Sequence, residues 1–184
     1  ANFDLADAWP EDVQQQADSL TEDSIAATSD SREDRTAEPY VTIDSPGTQD
    51  MDDALKATPN ATGWTLSIAI ADPTALITPN SPAEQEAYKR ATAIYFPGEP
   101  LPMLPDSIST RLCSLMPDVP RLVLVCDLQV NNDGSLGEYS FHQAVIRSKG
   151  KLSYELVAHL IEGREDDEIN ALPDDVSNSL DQLH

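Results

Sequence analysis

Asp44, Asp50, Asp52 and Asp53 fall within ten residues of one another, in the stretch Val41-Thr-Ile-Asp-Ser-Pro-Gly-Thr-Gln-Asp-Met-Asp-Asp-Ala-Leu55. Two carboxylates about 4 Å apart repel by roughly 4 kcal/mol at an effective dielectric near 20, so a folded chain keeps such a group together only with compensation. The usual compensation is a hard divalent cation held through oxygen. Mg²⁺ suits the cluster, because it takes a few carboxylates and leaves its other positions to water or phosphate oxygens; Mn²⁺ would be accepted by the same donors. A solvated acidic loop is the simpler reading of so many aspartates. The apolar neighbours Ile43, Met51, Ala54 and Leu55 argue for a half-buried site instead.

The elements around the cluster must bring these oxygens together. Tyr40 to Ile43 is β-branched and aromatic and predicts a strand ending at Asp44, and Ser45-Pro46-Gly47-Thr48 predicts a turn. An extended Asp50 to Asp53 would send Asp50 and Asp52 to one face and Asp53 to the other. Downstream, Pro59 to Gly63 is a turn into a strand from Trp64 to Ala71, a hairpin whose second strand is central. Ser81-Pro82-Ala83-Glu84 is a capping box opening a helix to about Ala93, with Arg90 paired to Glu86. Asp72, before Pro73, reads as a turn-forming or supporting carboxylate rather than a direct ligand. Gly98 to Pro105 is an extended connection, Ser107 to Leu115 a short helix, and Leu122 to Cys126 a strand buried on both faces. Asn131 to Gly134 turns into a strand from Glu138 to Ile146, and helices at Leu152 to Ile161 and Asp174 to Leu183 close the chain. The fold class is α+β, a mixed, largely antiparallel sheet with packed helices.

With 184 residues the chain can form a domain with a sizeable core, and its formal charge of −22 repels nucleic acid at long range. Residues 1–39 hold 11 acidic and 2 basic side chains and are read as an acidic lead-in, with a helix from Pro10 to about Leu20 and a linker from Ile25 to Pro39. The globular part is residues 40–184. Cys113 and Cys126 read as reduced core residues of a cytoplasmic protein. No apolar run approaches the ~18 residues of a membrane span, and nothing at the start resembles a signal peptide. Both ends read as cut, as expected for a piece of a longer polypeptide.

The run Thr42 to Leu55 resembles the signature of the RNB domain of ribonuclease II and ribonuclease R type exoribonucleases. Ile68-Ala-Ile-Ala-Asp-Pro-Thr-Ala75, Tyr95-Phe96-Pro97-Gly98, Pro102-Met-Leu-Pro105 and Leu112-Cys-Ser-Leu115 match further family segments in order. Asp50-Met51-Asp52-Asp53 is closer to the ribonuclease II type, since the other type usually has Phe at the Met51 position. The resemblance implies hydrolytic 3′ to 5′ degradation of single-stranded RNA to nucleoside 5′-monophosphates with Mg²⁺, this chain being the N-terminal part of the catalytic domain. It implies metal ligation by Asp44, Asp53 and Asp50, with Asp52 and Asp50 as catalytic residues, Asp52 orienting the attacking water or a metal. It also implies stacking of the terminal nucleotide on Tyr95, for which a core tyrosine closing the helix is the alternative. The family's domain is about twice as long and its second half supplies an arginine and a Thr-Ser-Pro-Ile-Arg motif that are not in this sequence. The implied partners are therefore that remaining half and the flanking RNA-binding barrels. The alternative function is a non-catalytic RNB-like scaffold or inhibitor whose acidic surface binds a basic partner.

Overall fold

The computed structural model describes residues 8–96, 100–164 and 167–183. In chain order its elements are α1 (Glu11–Ser19), α2 (Glu22–Ser29), β1 (Glu33–Arg35), β2 (Thr42–Asp44), β3 (Asp53–Asn60), β4 (Gly63–Ala71), α3 (Pro82–Arg90), β5 (Ile94–Tyr95) and β6 (Pro100–Leu101). There follow α4 (Asp106–Ile108), a π turn (Ser109–Cys113), β7 (Pro120–Asn131), β8 (Leu136–Arg147), β9 (Lys151–Ser153), α5 (Tyr154–Ile161), α6 (Asp167–Asn170) and α7 (Asp174–Leu183).

The main sheet has the order β1-β8-β7-β4-β3. Every pairing in it is antiparallel except β1 on β8, so the expected mixed, largely antiparallel α+β class is what the chain adopts. The expected hairpin is present: β3 and β4 pair from Asp53↔Ile70 to Asn60↔Gly63, leaving a two-residue loop, and β4 lies between β3 and β7. Gly63 takes φ +149°, and a Cβ there would run into the Val130 carbonyl oxygen, so only glycine closes this turn against β7.

Alternation along the strands creates two unlike faces. Ala54, Ala69, Val123, Val125, Ala144 and Ile146 face one way and pack with Tyr40, Met51 and Leu115. Three of those strand positions are alanine, which lets the loop carrying Met51 lie close to the sheet. Leu122 and Val145 face the other way, into a core made by Val13, Ala17, Ile25, Ile108 and Leu112 of the helices and the π turn. The third cluster joins Val41 and Leu152 to Leu156, Val176 and Leu180. There α7 protects the outer strand, because the Ser179 hydroxyl accepts from the Ala57 amide at 2.9 Å.

Four expectations need correction. The stretch from Ile25 to Pro39, expected as linker, carries most of α2 and all of β1. Its polar strand Glu33-Asp34-Arg35 is stabilised by the ladder to β8 and by buried Arg35 bonding Asp127 at 3.0 Å, which hydropathy alone does not reveal. The strand Leu122 to Cys126 is not covered on both faces: Leu124 is 44% exposed and Cys126 is half-buried, with Ile70, Tyr139 and Phe141 also open to solvent. The helix from Ser81 stops at Arg90, because Ala91 turns to φ 62°. The helix expected over Ser107 to Leu115 is a three-residue α4 running into the π turn, and Ser114 leaves it extended. Of the connection Gly98 to Pro105, Gly98 and Glu99 lie outside the described residues.

Candidate active site

The aspartates sit where β2 ends and β3 begins. Parallel pairing of β2 with β9 fixes Asp44 opposite Ser153. Asp53 opens β3 opposite Ile70, and Asp50 and Asp52 lie in the loop between the two strands. Met51 anchors that loop: its side chain is fully buried between two charged neighbours that are not. The backbone is pinned as well. The Leu115 amide donates to Met51 O at 2.9 Å and the Ala71 amide to Asp52 O at 2.8 Å. On the far side of the turn, the Lys151 ammonium donates to Pro46 O at 3.1 Å and to Thr48 O at 2.5 Å.

The four carboxylates feel one another. Desolvation, then the charge of Asp53, raises Asp44 above the usual carboxylate range; Lys151 works against that and Asp50 adds to it. Desolvation, then Asp50, Asp53 and Asp44 in that order, raises Asp52. Asp52 keeps an open side to water, so the repulsion by three neighbours is the firmer of its two causes. No cation among the causes offsets this at Asp52.

Asp50 and Asp52 line a cavity of about 450 Å³ whose other walls include Ile70, Ala71, Tyr95, Met103 and Cys113. Tyr95, on the short strand β5, is 70% exposed, and its hydroxyl lies 3.5 Å from Asp50 Oδ2. It is not a core tyrosine. The Asp50 charge, followed by desolvation and Asp52, raises its phenol above the ordinary value. An exposed ring beside the carboxylates is placed to meet a ligand's flat face. Cys113 is buried in this wall, where desolvation pushes its thiol up to about 12, leaving it a packing residue rather than a nucleophile.

The supporting carboxylate and the salt bridge fall where the sequence placed them. Asp72 caps the 3₁₀ turn Pro73–Ala75 and pairs with Arg32 at 2.6 Å, each side chain only 4% exposed. Although burial opposes it, the Thr74 hydroxyl and the Arg32 guanidinium hold the Asp72 carboxyl below its usual range. Asp72 therefore faces its own cation and not the cluster. Arg90 bonds Glu86 at 3.1 Å, donates to Pro102 O at 3.3 Å and lies 3.6 Å over the Trp9 ring. The residues that the sequence did not single out are Lys151, Ser114 and Arg121. Lys151 had one available signal, being among only 11 basic side chains in an acidic chain.

The donor set suits a hard cation in kind, since every candidate atom is a carboxylate oxygen and the charges are uncompensated at Asp52. Among the described residues no three His, Cys, Asp or Glu side chains already stand close enough to grip an ion. A cation that binds through one or two carboxylates and takes its remaining positions from water and phosphate fits that arrangement.

The RNB domain family model matches residues 32–184, and the chain belongs to that family. Among curated relatives it is 38% identical to Ribonuclease R of Escherichia coli over 177 residues, which is 96% of this chain and 22% of the relative. It is 44% identical to Exoribonuclease 2 of Edwardsiella piscicida over 183 residues, 98% of this chain and 27% of the relative. The fold also matches Mycoplasma genitalium RNase R solved in complex with ribose-methylated single-stranded RNA. There the TM-score is 0.85 at 31% identity, covering 97% of this chain and 27% of that one. The chain spans about a quarter of the length of these relatives.

Proposed function

We propose that this chain supplies the aspartate site of a 3′ to 5′ hydrolytic exoribonuclease that degrades single-stranded RNA to nucleoside 5′-monophosphates. The observation that carries the reading is the cluster itself: four neighbouring carboxylates, of which Asp44 and Asp52 are raised by burial and then by the charges of the others, beside a cavity with an exposed tyrosine. The family's named ribonucleases and the RNA in the matched structure support RNA as the substrate.

Mg²⁺, with Mn²⁺ as substitute, would be held by one or two carboxylates drawn from Asp44, Asp53 and Asp50, with water and phosphate oxygens in its other positions. When bound, such a cation lowers the pKa of water toward neutrality and offsets charge on the reacting phosphate. The chain's own residues supply position. Asp52, raised by its neighbours and open to solvent, accepts a hydrogen bond from the attacking water and orients it. Asp50 shares that role and sets the distance to Tyr95 through the hydroxyl contact. The Tyr95 ring stacks the terminal base; stacking is tolerant of base identity, as a non-specific exonuclease requires. The net charge of −22 repels the RNA backbone, and Lys151 offsets it only locally, beside Asp44. The groups that draw the RNA in therefore belong to the rest of the polypeptide, namely the remaining half of the domain and the flanking barrels. Free Cys113 and Cys126 suit a reducing cytoplasm, and among the described residues no helix is long and apolar enough to cross a membrane.

The test is mononucleotide release from 3′-labelled single-stranded RNA, with and without Mg²⁺, by a polypeptide of the relatives' length carrying this segment. Asp52→Asn should lower kcat by about 10²-fold or more, within the range general acid and base groups contribute. Unchanged kcat rejects the assigned role, and the isolated chain should release almost no product.

A further inference from the structure

Asp50 and Asp52 stand on a loop with no regular hydrogen-bond ladder of its own, between the end of β2 and the start of β3. Something outside the loop must decide where their carboxylates lie. The segment after the π turn bonds to the loop on both sides of Asp50. Ser114 is fully buried, and its Oγ donates to Gln49 O at 2.7 Å while accepting from the Met51 amide at 3.1 Å. Those two groups belong to the residues immediately before and after Asp50. The neighbouring Leu115 amide adds a bond to Met51 O at 2.9 Å.

Ser114 is itself fixed. Its carbonyl accepts from Arg121 Nε at 3.0 Å, and the same guanidinium, 4% exposed, donates to Arg111 O at 2.9 Å and pairs with Glu22 at 3.1 Å. The anchoring thus runs from α2 through Arg121 to Ser114 and ends on the backbone flanking Asp50. We propose that Ser114 is a positioning residue for the aspartate site: by bonding both neighbours of Asp50 it sets the placement of the Asp50 and Asp52 carboxylates, without touching substrate or cation. This rests on reading the cluster as a divalent-cation site. A hydroxyl is the smallest group that can donate to one of these backbone atoms and accept from the other. Alanine does neither: it leaves the buried Met51 amide short of a partner and releases the Gln49 carbonyl.

The test uses the 184-residue chain with Mn²⁺ as the probe, titrated by calorimetry, and amide nitrogen relaxation without metal. Ser114→Ala is compared with Ser179→Ala, which removes an equivalent buried serine-to-amide bond at Ala57 on the outer strand. The expected result is Mn²⁺ binding about tenfold weaker in Ser114→Ala, the lower end of what groups behind the ligands usually contribute. Ser179→Ala should stay within about twofold of the parent. Order at the Asp50 and Asp52 amides should fall only in Ser114→Ala. Parent-like binding by Ser114→Ala, or an equal loss in Ser179→Ala, overturns the proposal. If the parent chain itself binds no Mn²⁺, the cation reading fails and the relaxation data alone decide: unchanged order in Ser114→Ala overturns the positioning role, and a selective fall upholds it. Ser114→Cys keeps the volume while weakening both bonds, and it takes the alanine variant's place in every comparison if that variant does not fold.

Discussion

The two walls of the cleft are built on opposite principles. The aspartate wall is held by buried Met51 and by backbone bonds from Ser114, Leu115 and Ala71, with Lys151 tying down the preceding turn. The tyrosine wall is two residues of strand, β5, paired with two residues of β6; its ring is mostly in solvent and meets the other wall through one long contact at 3.5 Å. The side that must gather like charges is rigid, because repulsion would spread an unrestrained loop. The side with the exposed tyrosine, on which we propose that a base stacks, is held by far fewer bonds. Pre-organisation is therefore concentrated where electrostatics oppose it.

That contrast can be broken most severely at Met51. Met51→Ala removes a fully buried side chain from between the carboxylates and should cost about 3 kcal/mol of unfolding free energy, read by urea titration. Arg121→Ala should cost about 2 kcal/mol, since it strands the buried Ser114 carbonyl and unties the Arg111 carbonyl, while Glu22, largely exposed, loses little. Asp52→Asn should act in the opposite direction. Asp44 and Asp52 have raised folded-state values, so the native chain binds more protons than the unfolded one, and their contribution to stability falls as pH rises from the ordinary carboxylate range through those values. Without metal, Asp52→Asn should raise the melting temperature at pH 7 and have little effect at pH 3, and added Mg²⁺ should narrow the difference. A larger gain at pH 3 than at pH 7 contradicts the repulsion. Tyr95→Ala, the smallest in stability, should move unfolding by less than about 0.5 kcal/mol. In a polypeptide of the relatives' length it should still weaken single-stranded RNA binding by about 1–3 kcal/mol. A marked drop in melting temperature would show that the tyrosine wall is structural after all.

The chemistry was legible in the sequence to the extent that it is local. Four aspartates around one methionine, a turn of Pro and Gly, Ser81 as a helix N-cap and a hairpin turn within Pro59 to Gly63 are short-range signals, and each appears where its residues predict it, although the Ser81 amide bonds Thr78 O and not the Glu84 side chain of a full capping box. The supports are not local. Ser114 lies 65 residues from Gln49, and nothing in the segment Leu112-Cys-Ser-Leu115 announces two backbone bonds from its serine. Arg32 and Asp72 are 40 residues apart and read separately as a linker charge and a turn carboxylate. Hydrophobic runs misled for a related reason: Leu124 belongs to a continuous apolar strand, yet burial depends on what covers the sheet there, and nothing within the described chain covers it.

The buried Arg32–Asp72 pair ties the described part of the acidic lead-in, residues 8–39, to the rest of the fold. A chain trimmed to begin at Tyr40 would leave Asp72 a lone carboxylate in a dry pocket and deprive the helical core of Val13, Ala17 and Ile25. It would also strip β1 from Ala144 to Ile146 of β8, leaving a bare edge of unpaired amides and carbonyls. Such an edge recruits the next strand it meets, so trimmed molecules would join edge to edge and come out of solution. The stretch that looks most like a dispensable tether is what keeps the sheet from pairing with its own copies.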